Sequence, residues 1–204
     1  MDVSKEYGIR REEIERRLLE FKDVWRGPDD RVFAELCFCL CTPQSGAKRC
    51  WAAVSELHQS GALLAGTIGE VAAALKSHGV RFYGTKAQRI LEARSHRPIK
   101  GKIDVADPET AREWLVGNVR GLGYKEASHF LRNIGLGENL AILDRHILKN
   151  LVKLGIIRAV PKSMTRKRYL EIEKLMKECS KKECIPMAEL DLLFWSAETG
   201  EVFK

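Results

Sequence analysis

The stretch from Asp107 to Ile134 constrains the fold of this chain more than any other. Asp107-Pro108 combines a helix cap with a Pro at the first helical position, and opens a helix through Trp114 and Leu115 to about Val119. Only Arg120-Gly121-Leu122-Gly123 separates it from a second helix, Tyr124 to Ile134. Helices joined so tightly fold back on one another. The two glycines let the backbone turn without a Cβ. Their N–H groups, with the N-terminus of the second helix, make a concave donor set for a phosphate oxygen. An ordinary αα corner carries the same pattern, so the turn alone specifies no function.

The rest of the chain repeats helical spacing. Ile14, Leu18, Phe21 and Trp25 form one stripe over Arg10 to Trp25, and Gly27-Pro28 ends it. Asp29 or Asp30 is expected to cap the next helix, whose run Val32, Phe33, Leu36, Phe38, Leu40 is apolar almost all round and so belongs at the centre. Cys41 to Ser45 reads as a turn and cap before a helix carrying Trp51, Val54 and Leu57. Thr67 and Glu70 form a capping box for Val71 to His78. Val80 to Gly84 is a short connection with two aromatic residues, followed by a basic amphipathic helix, Lys86 to Arg94. Asp144 caps a helix to Leu154, Ser163 caps another, and Pro186 opens the last, Met187 to about Ala197. The expected fold is all-α, with about ten helices.

Composition narrows the class. The chain has 204 residues, enough for one large domain or two lobes with a real core. No apolar run approaches the roughly 20 residues of a membrane span, and Met1 to Glu6 contains no apolar signal region, so an intracellular location (cytoplasm or nucleoid) is expected. Net charge is +7, and basic residues cluster: seven against one acid from Arg81 to Lys102, nine against three from Arg158 to Lys182. Such faces either attract a polyanion by counterion release or are simply solvated. The six Cys contain no C-x-x-C, so neither a zinc ribbon nor a redox pair is signalled. Cys37, Cys39 and Cys41 lie in an apolar stretch as buried thiols; Cys179 and Cys184 are close enough in sequence for a local disulfide, which an intracellular location disfavours. His58, His78 and His96 lack metal-ligand spacing, His146 reads as structural, and His129 either faces a cleft or sits in the core.

Two residues turn the hairpin toward chemistry. Lys125 lies in the first turn of the second helix, where the positive end of the dipole disfavours a protonated amine; it serves either as a nucleophile or as a phosphate contact. Asp144 begins another helix after the apolar run Ala141-Ile142-Leu143, where the same dipole suits a carboxylate; alone it reads as an N-cap. A Lys and an Asp brought together beside a phosphate grip are more specific than either alone.

These residues resemble a family. The hairpin block Gly123-Tyr124-Lys125-Glu126-Ala127-Ser128-His129-Phe130-Leu131-Arg132-Asn133, Leu143-Asp144-Arg145-His146, Phe38 to Ser45, Arg81-Phe82-Tyr83, and Glu189 to Trp195 with a C-terminal Lys are similar to the archaeal-type 8-oxoguanine DNA glycosylase/AP lyases, the second subfamily of oxoguanine glycosylases within the helix-hairpin-helix superfamily. The resemblance implies two helical lobes with a cleft between them: residues 29–134, with the hairpin motif at about 107–134, and residues 1–28 plus 135–204. It implies Lys125 and Asp144 as catalytic residues, and Gly121, Gly123, Arg120 and Gln44 as DNA contacts; Gln44, at a helix start after a turn, either fills the gap left by a flipped base or is an exposed turn residue. It implies a base pocket of Phe82, Trp195, Asp191 and Lys204, in which Asp191 or the terminal carboxylate accepts from N7–H of the oxidised guanine. The partner implied is duplex DNA containing oxidised guanine, bound by a monomer. No cofactor is implied; related enzymes carry an iron–sulfur loop of four Cys, whereas only Cys179 and Cys184 lie late here. At most a monovalent cation would sit on the hairpin backbone. One departure is the loop Gly135 to Asn139, slightly longer than the pattern, which bears on where Asp144 sits. Two other readings stay open: a glycosylase of the same fold for another lesion, and a non-enzymatic DNA-binding module.

Overall fold

Asp2 accepts from Lys5 N and starts the first helix, α1 (Val3–Arg26), in a computed structural model that describes residues 2–204. Among those residues there is no strand. The helix begins about two turns before Arg10, where the apolar stripe starts, because Val3 is buried and the Tyr7 hydroxyl donates to Glu189 of the last helix. The second helix, α2 (Asp29–Cys41), is buried at every position from Val32 to Cys41. Each large apolar side chain fully buried in it contributes about 1.5–3 kcal/mol. Neither Asp29 nor Asp30 caps it. Pro28 occupies the cap, while Asp29 accepts from Lys100 N at 3.0 Å and Asp30 pairs with Arg97.

Around α2 pack α3 (Ala47–Gln59), the single turn α4 (Ala62–Ala65), α5 (Ile68–Ser77), α6 (Tyr83–Ala93), α7 (Pro108–Asn118) and α8 (Tyr124–Asn133). A second hydrophobic cluster joins Val3, Ile14 and Phe21 of α1 to α9 (Arg145–Lys153), α10 (Arg166–Glu183) and α11 (Met187–Thr199). Thr165 rather than Ser163 caps α10, its hydroxyl accepting from Arg168 N. The chain crosses between the clusters at one place that matters: Leu140 packs with the first, Ala141 and Leu143 with the second. Asp144 follows at once. The loop before it is pressed against α8, where a Cβ on Gly137 would lie 2.5 Å from Arg132 N, so only Gly fits.

All six cysteines are free, Cys179 and Cys184 included. No group of three or more His, Cys, Asp or Glu among the described residues is arranged to hold a metal ion. None of the helices is long and apolar enough to cross a membrane.

Candidate active site

The hairpin turns as its glycines suggest, but they differ. Gly121 has φ +104°, a region that L side chains rarely adopt. Gly123 is extended, at φ −95°, and serves as the N-cap of α8 with no side-chain cap bond. By contrast α5, α7, α9 and α10 each carry a side-chain cap. The first-turn amides of α8 are thus left for an outside acceptor.

Beside this turn lies a cleft of about 1090 Å³ with walls from both clusters. Of the residues singled out from sequence, Gln44, Gly123, Lys125, Asp144, Asp191, Trp195 and Lys204 line it. Lys125 is in the first turn of α8, and its only ion pair among the described residues is with Glu126, 3.8 Å away. Asp144 caps α9: one oxygen accepts from His146 N at 2.7 Å and Ile147 N at 2.8 Å. Two amide bonds and a helix N-terminus thus fix the orientation of the carboxylate. Lys125 and Asp144 both line the cleft and make no ion pair with each other.

The floor is a buried charge network. Asp191 accepts from Arg132 at 3.0 Å, and its other oxygen has no partner. Burial pushes Asp191 up to about 7 and Asp144 adds to it, while Arg132 and Lys125 oppose. Burial likewise lowers Arg132. Both partners therefore move as desolvation dictates, and the ion pair only partly offsets it. A raised folded-state value means that protonation favours the fold. The stability of the protein relative to its Asp191→Asn variant should thus fall as pH rises from about 4 to about 7 and level off above. Urea melts of both proteins from pH 4 to 8 check this; a difference that is flat across that window would contradict it.

Lys204 closes the cleft in an unexpected way. Its ammonium pairs with Glu35 of α2 and lies 3.5 Å from the centre of the Trp51 ring. Burial is the main reason its pKa is lowered, against the pull of Glu35. The side chain thus anchors the tail and leaves the main-chain end of Lys204 beside the cleft. His129, buried there with no hydrogen bond of normal geometry, is held neutral by burial and by Lys125, Arg132 and Lys204; the Lys204 main chain acts the other way. His146, which sequence alone assigns a structural role, also lines the cleft. Trp195 is half-buried, with Phe203 of the tail at 6.4 Å between ring centres.

Phe82, Gly121 and Arg120 are not in the cleft wall. Phe82 is 55% exposed at φ +58°, next to Arg81, which does line the cleft and whose guanidinium lies 5.3 Å from the Phe82 ring centre. Gln44 has φ +55°. Two non-Gly residues in this conformation cost roughly 1–3 kcal/mol each and need support. Lys86 supplies it: buried despite its place in a basic helix, its amine donates to Pro43 O at 2.8 Å and Ser45 Oγ at 2.9 Å, while Arg81 N donates to Ser45 Oγ at 2.9 Å. Arg120 is 73% exposed, 3.6 Å from Glu92. Sequence patterning misses Lys86, Arg132, Arg112 and Glu173, each a charged residue that looks solvated in sequence but that the fold buries, whereas Tyr169 lies inward as its helical spacing indicates.

A tight helical hairpin with a Lys at the start of its second helix, and a capping Asp lining the same cleft in an all-α chain, fit the class of helix-hairpin-helix glycosylases. The chain belongs to the 8-oxoguanine DNA glycosylase family, whose model matches residues 14–185. It is 43% identical to the 8-oxoguanine DNA glycosylase/AP lyase of Fusobacterium nucleatum, covering 100% of this chain and 96% of the relative. It is 45% identical to that of Korarchaeum cryptofilum, with the same shares covered. Among solved structures it is similar to the Methanocaldococcus jannaschii 8-oxoguanine glycosylase/lyase in complex with a 15mer DNA containing 8-oxoguanine (TM-score 0.92, 35% identity, 100% of both chains). The 8-oxoguanine DNA glycosylase of Thermotoga maritima matches equally in shape (TM-score 0.92, 33% identity, 100% of this chain and 97% of that one).

Proposed function

We propose that this chain excises 8-oxoguanine from duplex DNA and then cleaves the strand at the resulting abasic site. The observation that carries the reading is the amine of Lys125 and the doubly bonded carboxylate of Asp144 sharing one cleft without pairing. The uncapped α8 N-terminus and hairpin turn hold a phosphate, positioning the strand without reading sequence. The oxidised base leaves the stack, since its glycosidic bond cannot be reached within it. Gln44 fills the gap, and Phe82 and Trp195 stack on the base, Phe82 closing on it from its exposed position. The free oxygen of Asp191 accepts from N7–H, which guanine lacks.

The chemistry then follows from charge. As the C1′–N9 bond breaks, positive charge develops on the sugar and Asp144 stabilises it. The amine nitrogen of Lys125 forms a bond to C1′, and the base departs with the bonding pair and takes up a proton that the nitrogen gives up. Opening of the sugar ring gives a Schiff base between Lys125 and C1′. Loss of a proton from C2′ expels the 3′ phosphate, and water releases the enzyme. One chain carries every group this scheme uses, so a monomer suffices. The two hydrophobic clusters correspond in this reading to two lobes on either side of the cleft. Work on chromosomal DNA puts the enzyme in the cytoplasm or nucleoid.

Relative excision from duplexes carrying 8-oxoguanine, uracil or an alkylated purine tests the substrate. Preference for 8-oxoguanine supports the reading, and preference for another lesion replaces it with a same-fold glycosylase of different specificity. The tail makes a sharper case. Deleting Val202 to Lys204 removes the cleft's closing segment and the partner of buried Glu35. Excision should slow by at least about tenfold more than cleavage at a preformed abasic site. Equal loss of both activities would assign the tail to stability alone.

A further inference from the structure

Against the cleft, whose wall includes Tyr124 and Tyr169, lies a buried cluster that the scheme above does not use. Arg112 of α7 is 1% exposed, and its guanidinium grips Glu173 of α10 through two bonds, at 2.6 and 3.0 Å. Glu173 also accepts from Ala141 N at 2.8 Å. One turn earlier on the same face of α10, the Tyr169 hydroxyl donates to Ala141 O at 2.6 Å and accepts from Leu143 N at 3.4 Å. Burial keeps that phenol protonated and therefore a donor. Residues 141–143 belong to no helix, so their main-chain groups need partners from elsewhere, and α10 supplies them. Asp144 is the next residue. The same cluster reaches the helix bearing Lys125. Arg112 Nη1 donates to Ser128 Oγ at 3.2 Å, Tyr169 lies 3.5 Å from that hydroxyl, and the Tyr124 ring stacks over Arg112 at 5.2 Å. Tyr124 precedes Lys125, and Ser128 sits one turn after it.

We propose that Arg112, Tyr169 and Glu173 are positioning residues: a buried clamp that fixes the α8 N-terminal turn and the 141–143 segment to one another and so sets the separation of Lys125 from Asp144. The inference rests on the assignment of those two as the reacting pair. A buried Arg–carboxylate pair is weak evidence for stability as such, because desolvation offsets most of its attraction. Apart from a 3.9 Å ion pair of Glu173 with Lys177 on its own helix, the pair's remaining bonds go to the two segments that carry the chemistry. A misplacement of about 1 Å between reacting groups can slow a reaction on the order of 100-fold.

Tyr169→Phe is the main test, since it deletes one hydroxyl and keeps the ring. The readouts are single-turnover excision of 8-oxoguanine, affinity for a duplex containing a tetrahydrofuran abasic analogue, and Tm by circular dichroism. We expect excision to slow by about tenfold or more, with affinity within twofold and Tm within a few degrees of the parent. Glu173→Gln should slow excision further, with a lower Tm; if it does not fold, Tyr169→Phe decides alone. Excision within twofold of the parent, or a fall in affinity and Tm that accounts for the lost rate, would overturn the clamp. Failure of the parent to excise at all, or an undiminished Lys125→Gln variant, would instead overturn the assignment beneath it.

Discussion

Lys125→Gln is expected to abolish covalent capture of DNA and to lower excision of 8-oxoguanine by at least three orders of magnitude, because no other amine in the cleft is placed to attack C1′. The neighbouring basic groups are engaged: Arg132 by Asp191, Lys204 by Glu35, Lys86 by Pro43 and Ser45. The substitution removes only a partly exposed ion pair at 3.8 Å, so stability should change by no more than about 0.5 kcal/mol. Affinity for a duplex carrying an abasic analogue should fall little, since the hairpin amides that hold phosphate are main-chain groups. Gel-shift titration beside single-turnover kinetics separates the two effects. A variant that excises normally while binding weakly would make Lys125 a phosphate contact, the plainer of the two roles open to it.

Asp144→Asn gives the second large effect and a cleaner separation of chemistry from fold. Asp144 does two jobs: one oxygen caps α9, and its charge faces the cleft. Asn caps helices about as well as Asp, so the variant should keep its Tm to within a few degrees. It has no negative charge to set against the cationic sugar, so excision should fall by about 100-fold or more. Asp144→Ala loses both functions and should in addition lose about 1 kcal/mol of stability. If Asp144→Asn excised at the parent rate, the carboxylate would be only a cap and the proposed mechanism would lose its electrostatic term.

Much of the fold and part of the site are legible in the amino-acid sequence. The hairpin is written in local terms, a cap with Pro108 at one end and Gly121-Leu122-Gly123 at the other, and local physics holds there. The buried α2 is likewise readable, because a helix apolar on all sides has nowhere else to go. Helix starts read less well. Val3 to Ile9 carries no apolar stripe, and its helicity comes from the Asp2 cap and from contacts to residues far along the chain, Glu189 among them. The polar interior is invisible for the same reason. Arg112, Lys86, Arg132 and Glu173 each look solvated in sequence; what buries them is a partner on a different element. Lys204 shows the limit most clearly. The resemblance places it in the pocket, and it lines the cleft, while its ammonium pairs with Glu35 and sits over the Trp51 ring.

The central claim is a covalent bond between Lys125 and the sugar of the lesion nucleotide. Sodium borohydride reduces a Schiff base to a stable amine, so incubation with duplex DNA containing one 8-oxoguanine, followed by digestion and mass spectrometry, reads it directly. The expected result is a trapped complex whose modified peptide carries the adduct on Lys125, and none from Lys125→Gln. A parent protein that excises the base without forming an adduct, or an adduct mapped to another residue, would contradict it.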